Sequence, residues 1–283
     1  MHRLIILGFA LAVALPASPP SAAVPTSQEA AAAVVRFAVI GDMGNGSRRQ
    51  RETAQQMWEQ RARIPYEFVV TVGDNMYGGQ SPRDYQRKFE EPYKPMLDAG
   101  VRFYAAIGNH DKREQVNYAP FNMGGQAYYT HRHGPVEFFA LDSTRFDRTQ
   151  LLWLEERLRA SDAPWKIAHF HHPLYSSGYR HGPDLGLRSA FEPILATGSV
   201  RVAFTGHEHF YERLQPRYGI QSFIVGSGGQ LRKGGLRPNR FQTAAGNDQD
   251  NVFLLVEVDG PTLRFEAVSR TGEVVDRGTV SLP

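Results

Sequence analysis

Val200-Arg201-Val202-Ala203-Phe204-Thr205-Gly206-His207-Glu208-His209 is the stretch from which the rest of the chain can be read. The β-branched and aromatic run before Gly206 has the composition of a buried strand, and a glycine lets the backbone turn sharply where that strand ends. Two imidazoles one residue apart on such a turn can reach past Glu208 toward two neighbouring cation positions. An isolated Gly-His-x-His run reads equally well as a polar loop with solvated rings. This one is not isolated. Gly41-Asp42 follows Phe37-Ala38-Val39-Ile40, and Gly73-Asp74-Asn75 follows Phe68-Val69-Val70-Thr71-Val72. Gly108-Asn109-His110-Asp111 follows Phe103-Tyr104-Ala105-Ala106-Ile107, and His169-Phe170-His171-His172-Pro173 follows Trp165-Lys166-Ile167-Ala168. Five apolar runs end in oxygen or imidazole donors, most of them behind a glycine. That is the pattern of a metal site assembled at the ends of strands.

Outward from these runs, strand-like and helical patterns alternate from residue 34 to about residue 205, which predicts an α/β arrangement. Residues 47–63 predict a surface helix with Ala54, Met57 and Trp58 on its buried face. Residues 84–97 predict a second helix, interrupted by Pro92 and Pro95. Residues 128–130 and 136–141 flank His133-Gly134-Pro135 as a hairpin, and residues 149–160 form an amphipathic helix. Beyond residue 215, strands are expected over 218–225, 252–258, 263–268 and 273–280, with Asp259-Gly260 as a hairpin turn. Residues 226–250, rich in Gly, Arg, Asn and Gln, carry no periodicity and predict one long loop.

Composition narrows the class. The chain has 283 residues and no composition break, so one domain over residues 34–283 is expected. Residues 1–23 read as a secretory leader, with Arg3, the apolar Leu4 to Leu15 and a small-residue cleavage site at Ser21-Ala22-Ala23. Its apolar centre is shorter than the roughly 20 residues that span a bilayer. The expectation is a secreted or periplasmic protein with no stable membrane insertion after cleavage, reached through a flexible lead-in at residues 24–33. There is no cysteine, hence no disulfide framework. A net charge of +3, one less without Arg3, does not indicate a nucleic-acid binder. The cations are mostly arginines, whose forks suit phosphate oxygens. Arg232, Lys233, Arg237 and Arg240 lie together in the long loop and are read as solvated, with contact to a dianionic substrate as the other reading.

The donors are of mixed type. Asp42 and Asp74 supply carboxylates, Asn109 a neutral carbonyl, His171, His207 and His209 imidazoles, and Tyr77 a phenol three residues after Asp74. Oxygen and nitrogen donors without thiolate suit iron, zinc or manganese rather than a structural zinc site. They exceed what one ion needs, and a carboxylate such as Asp74 can bridge two. A phenolate favours a hard, highly charged ion, which is Fe(III). Two ions ~3.5–4 Å apart clamp the attacking and leaving oxygens of a phosphoryl transfer.

Taken in order, the motifs GDMG (41–44), GDNMY (73–77), GNHD (108–111), HFHHP (169–173) and GHEHFYER (206–213) resemble the purple acid phosphatases, within the calcineurin-like metallophosphoesterases. The resemblance covers about residues 36–215, and the tyrosine of GDNMY is what marks the purple branch. It implies that Asp42, Tyr77 and His209 hold Fe(III). Asp74 would bridge, and Asn109, His171 and His207 would hold a divalent ion, Fe(II), Zn(II) or Mn(II). The family's His-x-Pro pattern selects His171 over His169 and His172. His110 matches a substrate-facing histidine, and His181 looks like the second one of the small, tartrate-resistant branch, a plain loop histidine being its other reading. His131, His133, His169 and His172 are assigned to structure, surface or support of the donors. Glu208 is assigned to support or solvent, and Asp111 to orienting His110. The implied fold is a four-layer α/β/β/α sandwich of two mixed sheets flanked by helices, with the site at the carboxyl ends of the strands. No β-sandwich domain is recognisable before residue 34, which argues against the larger plant-type architecture.

The implied activity is acid phosphatase hydrolysis of small-molecule or protein phosphomonoesters, by in-line attack of a metal-bound hydroxide on phosphorus. The alternatives are a phosphodiesterase acting on nucleotide or lipid diesters, and a redox-active iron protein without esterase function. His110 and His181, which bind no metal in this scheme, speak against the latter. Nothing in the sequence sets an oligomeric state.

Overall fold

The computed structural model describes Met1, residues 34–239 and residues 242–283. The expected leader and lead-in, apart from Met1, and Arg240 of the basic loop lie outside the described residues. No helix among the described residues is long and apolar enough to cross a membrane.

Strand β1 (Val35–Ile40) shows how the layers arise. Successive side chains of a strand point to opposite faces. Phe37 and Val39 enter one core, Ala38 and Ile40 another, and all four are fully buried. Such a strand must be covered on both sides. It lies beside β2 (Phe68–Thr71), which pairs with β3 (Arg102–Ala105), and these three run parallel. On its other side come β11 (Val252–Asp259), β12 (Thr262–Ser269) and β13 (Val274–Ser281), each antiparallel to its neighbour. Among the described residues this gives a six-stranded mixed sheet.

The facing sheet has seven strands among the described residues. Its parallel centre is β5 (Val136–Ala140), β6 (Trp165–His169), β7 (Val202–Thr205) and β9 (Gln221–Val225). Antiparallel β4 (Tyr129–His133) closes one edge, and β8 (Tyr211–Leu214) with β10 (Thr243–Asn247) closes the other.

Between the sheets Phe37 stacks on Phe68 at 5.4 Å and meets Phe138 edge-on at 5.0 Å, one from each sheet. Emptying that centre by Phe37→Ala would cost roughly 3–5 kcal/mol. The outer face of the first sheet is covered by α1 (Arg48–Gln60), α2 (Pro82–Tyr85) and α3 (Glu91–Asp98). The outer face of the second is covered by α4 (Arg148–Ala160) and α5 (Leu185–Thr197). The four-layer sandwich expected from the sequence is the observed fold.

Several local expectations change. The helical path read over residues 84–97 opens earlier, at Pro82, behind a Ser81–Asp84 capping box. Its irregularity is a π turn at Gln86–Glu90, and both prolines sit within the regular helix that follows. The wider turn carries Lys88 inward, where its Nζ donates to the carbonyls of Tyr77 and Gly79 at 2.7 Å each. Residues 226–250 are not loop throughout, because β10 pairs with β8 across a bulge. Its sequence, Thr-Ala-Ala-Gly-Asn, has little strand character, and the exposed edge supplies what composition does not. The strand expected over 218–225 starts only at Gln221, since Tyr218 and Gly219 form a left-handed turn (φ 51° and 77°). Helix α5, absent from the sequence expectations, has a local signal. Asp184 accepts from the Leu187 N–H at 2.9 Å as N-cap, and Leu187, Phe191 and Leu195 follow at intervals of four.

Away from the strand ends, His131 is sandwiched between Tyr104 (3.9 Å) and Phe138 (4.7 Å), and His133 stacks on Phe68 at 3.8 Å. Burial holds His131 well below the usual imidazole range, and burial with the Arg102 cation pushes His133 down to about 4. Both rings are therefore neutral in the fold but titrate normally in the unfolded chain. Because the folded values are depressed, their contribution is present above pH 6.5 and is lost as pH falls toward 4. Allowing for solvent screening of the partly exposed His133, urea unfolding should lose on the order of 2 kcal/mol through that ring over that window, and His133→Phe should flatten the loss. An unchanged slope in the variant would exclude His133 as its source.

Candidate metal centre

The strands deliver their donors through strained turns. Asp42 (φ 52°), Asp74 (φ 49°) and His207 (φ 69°) all lie in the left-handed region, uncommon for residues with a side chain. The first two turns brace each other: the Asp42 N–H donates to Gly73 O at 3.0 Å and the Met43 N–H to Asp74 O at 3.2 Å. Gly206 does not make the sharp turn expected of it. Its neighbour His207 does, and Gly206 is needed because a Cβ there would stand 2.5 Å from Asp42 Oδ2.

All seven expected donors converge on two adjoining clusters. In the first, Tyr77 Oη donates to Asp42 Oδ1 at 2.9 Å and lies 3.2 Å from His209 Nε2, which is 3.4 Å from Asp42 Oδ1. In the second, His171 Nε2 lies 3.0 Å from Asn109 Oδ1, 3.2 Å from His207 Nδ1 and 3.5 Å from Asp74 Oδ1. Asp74 belongs to both, grouping with Asp42 and His171 as donors within reach of a single cation.

The chemistry of this donor set fits a cation. The Nδ1 of His171 is 2.9 Å from the carbonyl of Val72, which puts the ring proton there and leaves Nε2 a lone pair. That lone pair faces a carbonyl oxygen and a carboxylate oxygen, an arrangement that is repulsive unless a positive ion lies among them. Titration behaviour points the same way. Burial and the Asp74 charge hold Asp42 well above the carboxylate range, and burial also raises Asp74. Burial raises the Tyr77 phenol, with both carboxylates adding to it. Burial, with the neighbouring imidazoles, pushes His207 down to about 2, and burial with Arg232 takes His209 to about 4. Left to itself the pocket disfavours every charge its side chains can carry, and a bound cation inverts that preference for the acids.

His110 and His181 flank the clusters from different sides. The His110 N–H is fixed on Asp74 Oδ1 at 2.8 Å, and its exposed ring lies 4.7 Å from that of Tyr77. The exposed His181 ring lies 4.3 Å from that of His207. His172 packs 4.5 Å from His207 and reaches Ser143 Oγ through Nδ1 at 3.0 Å, so it stands close enough to group with His171 and His207. His169 is buried with Nδ1 on Thr71 O at 3.1 Å, a structural role.

Asp111 does not orient His110. Its carboxylate accepts the N–H groups of Asn75 (3.0 Å), Met76 (2.9 Å) and Gly108 (2.9 Å) together with the Asn75 and Gln115 amides, and so ties the Asp74–Tyr77 turn to the Asn109 turn. Glu208 is fully buried, which rules out the solvated reading. Arg232, read as solvated, is largely covered and has Nη1 3.7 Å from Glu208 Oε2. No local pattern distinguishes Arg232 from the other cations of its loop; only the tertiary arrangement does.

Residues 35–211 match the family model of the calcineurin-like phosphoesterases. The chain belongs to that family. Among its relatives, human tartrate-resistant acid phosphatase type 5 is 27% identical over 298 residues, covering 88% of this chain and 91% of the relative. Purple acid phosphatase 17 of Arabidopsis thaliana is 28% identical over 244 residues, 72% of this chain and 71% of its own. Among solved structures, a purple acid phosphatase from yellow lupin seeds superposes with a TM-score of 0.73 at 21% identity, over 88% of this chain and 54% of that one. GAP50, described as the anchor in the inner membrane complex of Plasmodium, gives 0.75 at 20% identity over 88% and 89%. At such identities the structural likeness speaks for the fold alone. The family makes the chain a metallophosphoesterase, and the relatives named as acid phosphatases imply a dinuclear metal centre for the two clusters.

Two buried carboxylates in one phosphoesterase pocket have a consequence for stability. At neutral pH, Asp42→Asn should raise the Tm of the metal-depleted protein by about 2–4 °C, by removing an acid whose ionisation the cation-free pocket penalises. With metal restored the order should reverse. Calorimetry with and without chelator checks this; a variant less stable in both states would show that the carboxylates are compensated without a cation.

Proposed function

We propose that the chain is a purple acid phosphatase hydrolysing phosphate monoesters. Asp42, Tyr77 and His209 would hold Fe(III), Asn109, His171 and His207 a divalent ion, and Asp74 both. The observation that carries this reading is Tyr77 Oη, buried between Asp42 Oδ1 and His209 Nε2 at 2.9 and 3.2 Å. Without a cation the phenol donates to Asp42; as phenolate, between a carboxylate oxygen and an imidazole nitrogen, it would suit a trivalent ion. When bound, the ions supply Lewis acidity toward phosphate oxygens and an activated water for in-line attack on phosphorus.

The remaining work falls to the protein. The rings of His110 and His181 make no hydrogen bond to the clusters' donor atoms and stand at the exposed rim, where each can donate to a phosphate oxygen. A ring N–H turned toward the charge that grows in the transition state would stabilise it, and one of the two would protonate the leaving oxygen. The backbone bond to Asp74 fixes His110 over the Tyr77 side, and Arg180 and Arg232 add positive potential around His181 and His209. The relatives' names support the monoester reading over the diester one, and the two rim histidines support an esterase over a redox protein without substrate.

The test separates metal binding from catalysis. Tyr77→Phe should abolish a visible phenolate-to-Fe(III) band. His110→Ala should keep that band and both metals yet lose about 10²–10³-fold in kcat, part of it recovered with a better leaving group. Turnover of p-nitrophenyl phosphate should exceed that of the bis ester. A colourless protein fully loaded with Fe(III) would reject the tyrosine ligation, near-normal kcat in His110→Ala would remove His110 from the mechanism, and preference for the bis ester would make the protein a diesterase.

A further inference from the structure

Glu208 sits in the chain between two donors, yet its side chain belongs to neither cluster. The His207 and His209 rings reach into the two clusters, whereas the carboxylate between them lies against residues 178–182, the segment that carries His181. Oε1 accepts the Gly182 N–H at 2.8 Å, and the His181 N–H faces the same carboxylate. Among the described residues, these two amides have Glu208 as their protein partner. The segment is wrapped so closely that a Cβ at Gly178 would stand 2.1 Å from Oε1. Its earlier part is held elsewhere, by the Ser177 N–H on Glu212 Oε2 at 2.9 Å and the Tyr179 N–H on Gly235 O at 3.2 Å. The other oxygen, Oε2, is buried without a hydrogen bond, 3.7 Å from the Arg232 guanidinium, whose own backbone N–H donates to His209 O at 2.9 Å.

A buried carboxylate partnered this way is costly to keep. What it does geometrically is join the turn that carries His207 to the loop that carries His181, and the two rings end 4.3 Å apart. We propose that Glu208 is the positioning residue for His181: its carboxylate acts as a backbone clamp that sets the His181 ring over the second cluster, with Arg232 balancing its charge. This rests on the reading of His181 as a substrate-facing residue.

The test uses the metal-loaded protein and the variants Glu208→Ala, Glu208→Gln, His181→Ala and the Glu208→Ala/His181→Ala double. Glu208→Ala should keep both metals by elemental analysis and lose kcat by roughly tenfold, with that loss absent in the His181→Ala background because both changes act through one group. Limited trypsin digestion should cleave after the exposed Arg180 about tenfold faster in Glu208→Ala than in wild type. Glu208→Gln, which keeps an oxygen for the Gly182 N–H, should restore most of both properties. Should Glu208→Ala fail to fold, Gly178→Ala displaces the same loop from outside the metal turn and should reproduce the coupling and the cleavage. Additive kcat losses, unchanged cleavage at Arg180, or loss of metal in Glu208→Ala each overturn the proposal. Wild-type kcat in His181→Ala would instead defeat the reading of His181, while the cleavage rate would still report on the clamp.

Discussion

Everything in this molecule is arranged around a repulsion. Asp42 and Asp74 bring two carboxylates to one buried place, and His171 turns a lone pair toward them because its proton is committed to the Val72 carbonyl. None of these groups can move away, since each stands on a turn at the end of a buried strand. The sandwich core, with Phe37 locked against aromatics of both sheets, holds the donors together more firmly than they push apart. A cation turns that enforced crowding into favourable contact. The same enforcement explains why left-handed backbone recurs at Asp42, Asp74 and His207: strain there persists because the surrounding sheets determine it.

Around the donors stands a layer of residues whose business is the backbone. Asp111 gathers amides from two turns, Lys88 caps the carbonyls of Tyr77 and Gly79, and Glu208 gathers those of the His181 loop. Each is an ionisable side chain inside the protein, and each bonds main chain, whatever side chains it also meets. Main-chain bonds fix where a loop runs irrespective of which side chains it displays, so the rim can vary while the turns beneath it stay in register.

The donors were legible because their chemistry is local: a strand of β-branched and aromatic residues, often a glycine, then an oxygen or nitrogen ligand can be seen in a window of seven or eight residues. The two-sheet sandwich was legible mainly through the resemblance that those windows carry. What escaped the sequence depends on partners far along the chain. Thr243–Asn247 becomes a strand because β8 offers an edge. Asp111 reads as the neighbour of His110, and only the fold shows that its oxygens face Asn75 and Met76 instead. Arg232 looks like its solvated neighbours until Glu208 is found beside it. The helix over Leu185–Thr197 is the exception, having a clear cap and spacing that lay unread behind Gly182-Pro183.

The donors are spread from residue 42 to residue 209, on turns contributed by both sheets. An unfolded chain could offer a cation only short local sets, such as His207 with His209 or His171 with His169 and His172, so the ion has no complete template to build upon early in folding. The two sheets must first meet face to face, with the acids crowded and unrelieved, before the pocket exists. Metal uptake is then the last event of assembly, drawing its selectivity for the folded state from the distance in sequence between its ligands. The cation acts as a latch on a finished structure, and whatever supplies metal to this protein must deliver it to a folded one.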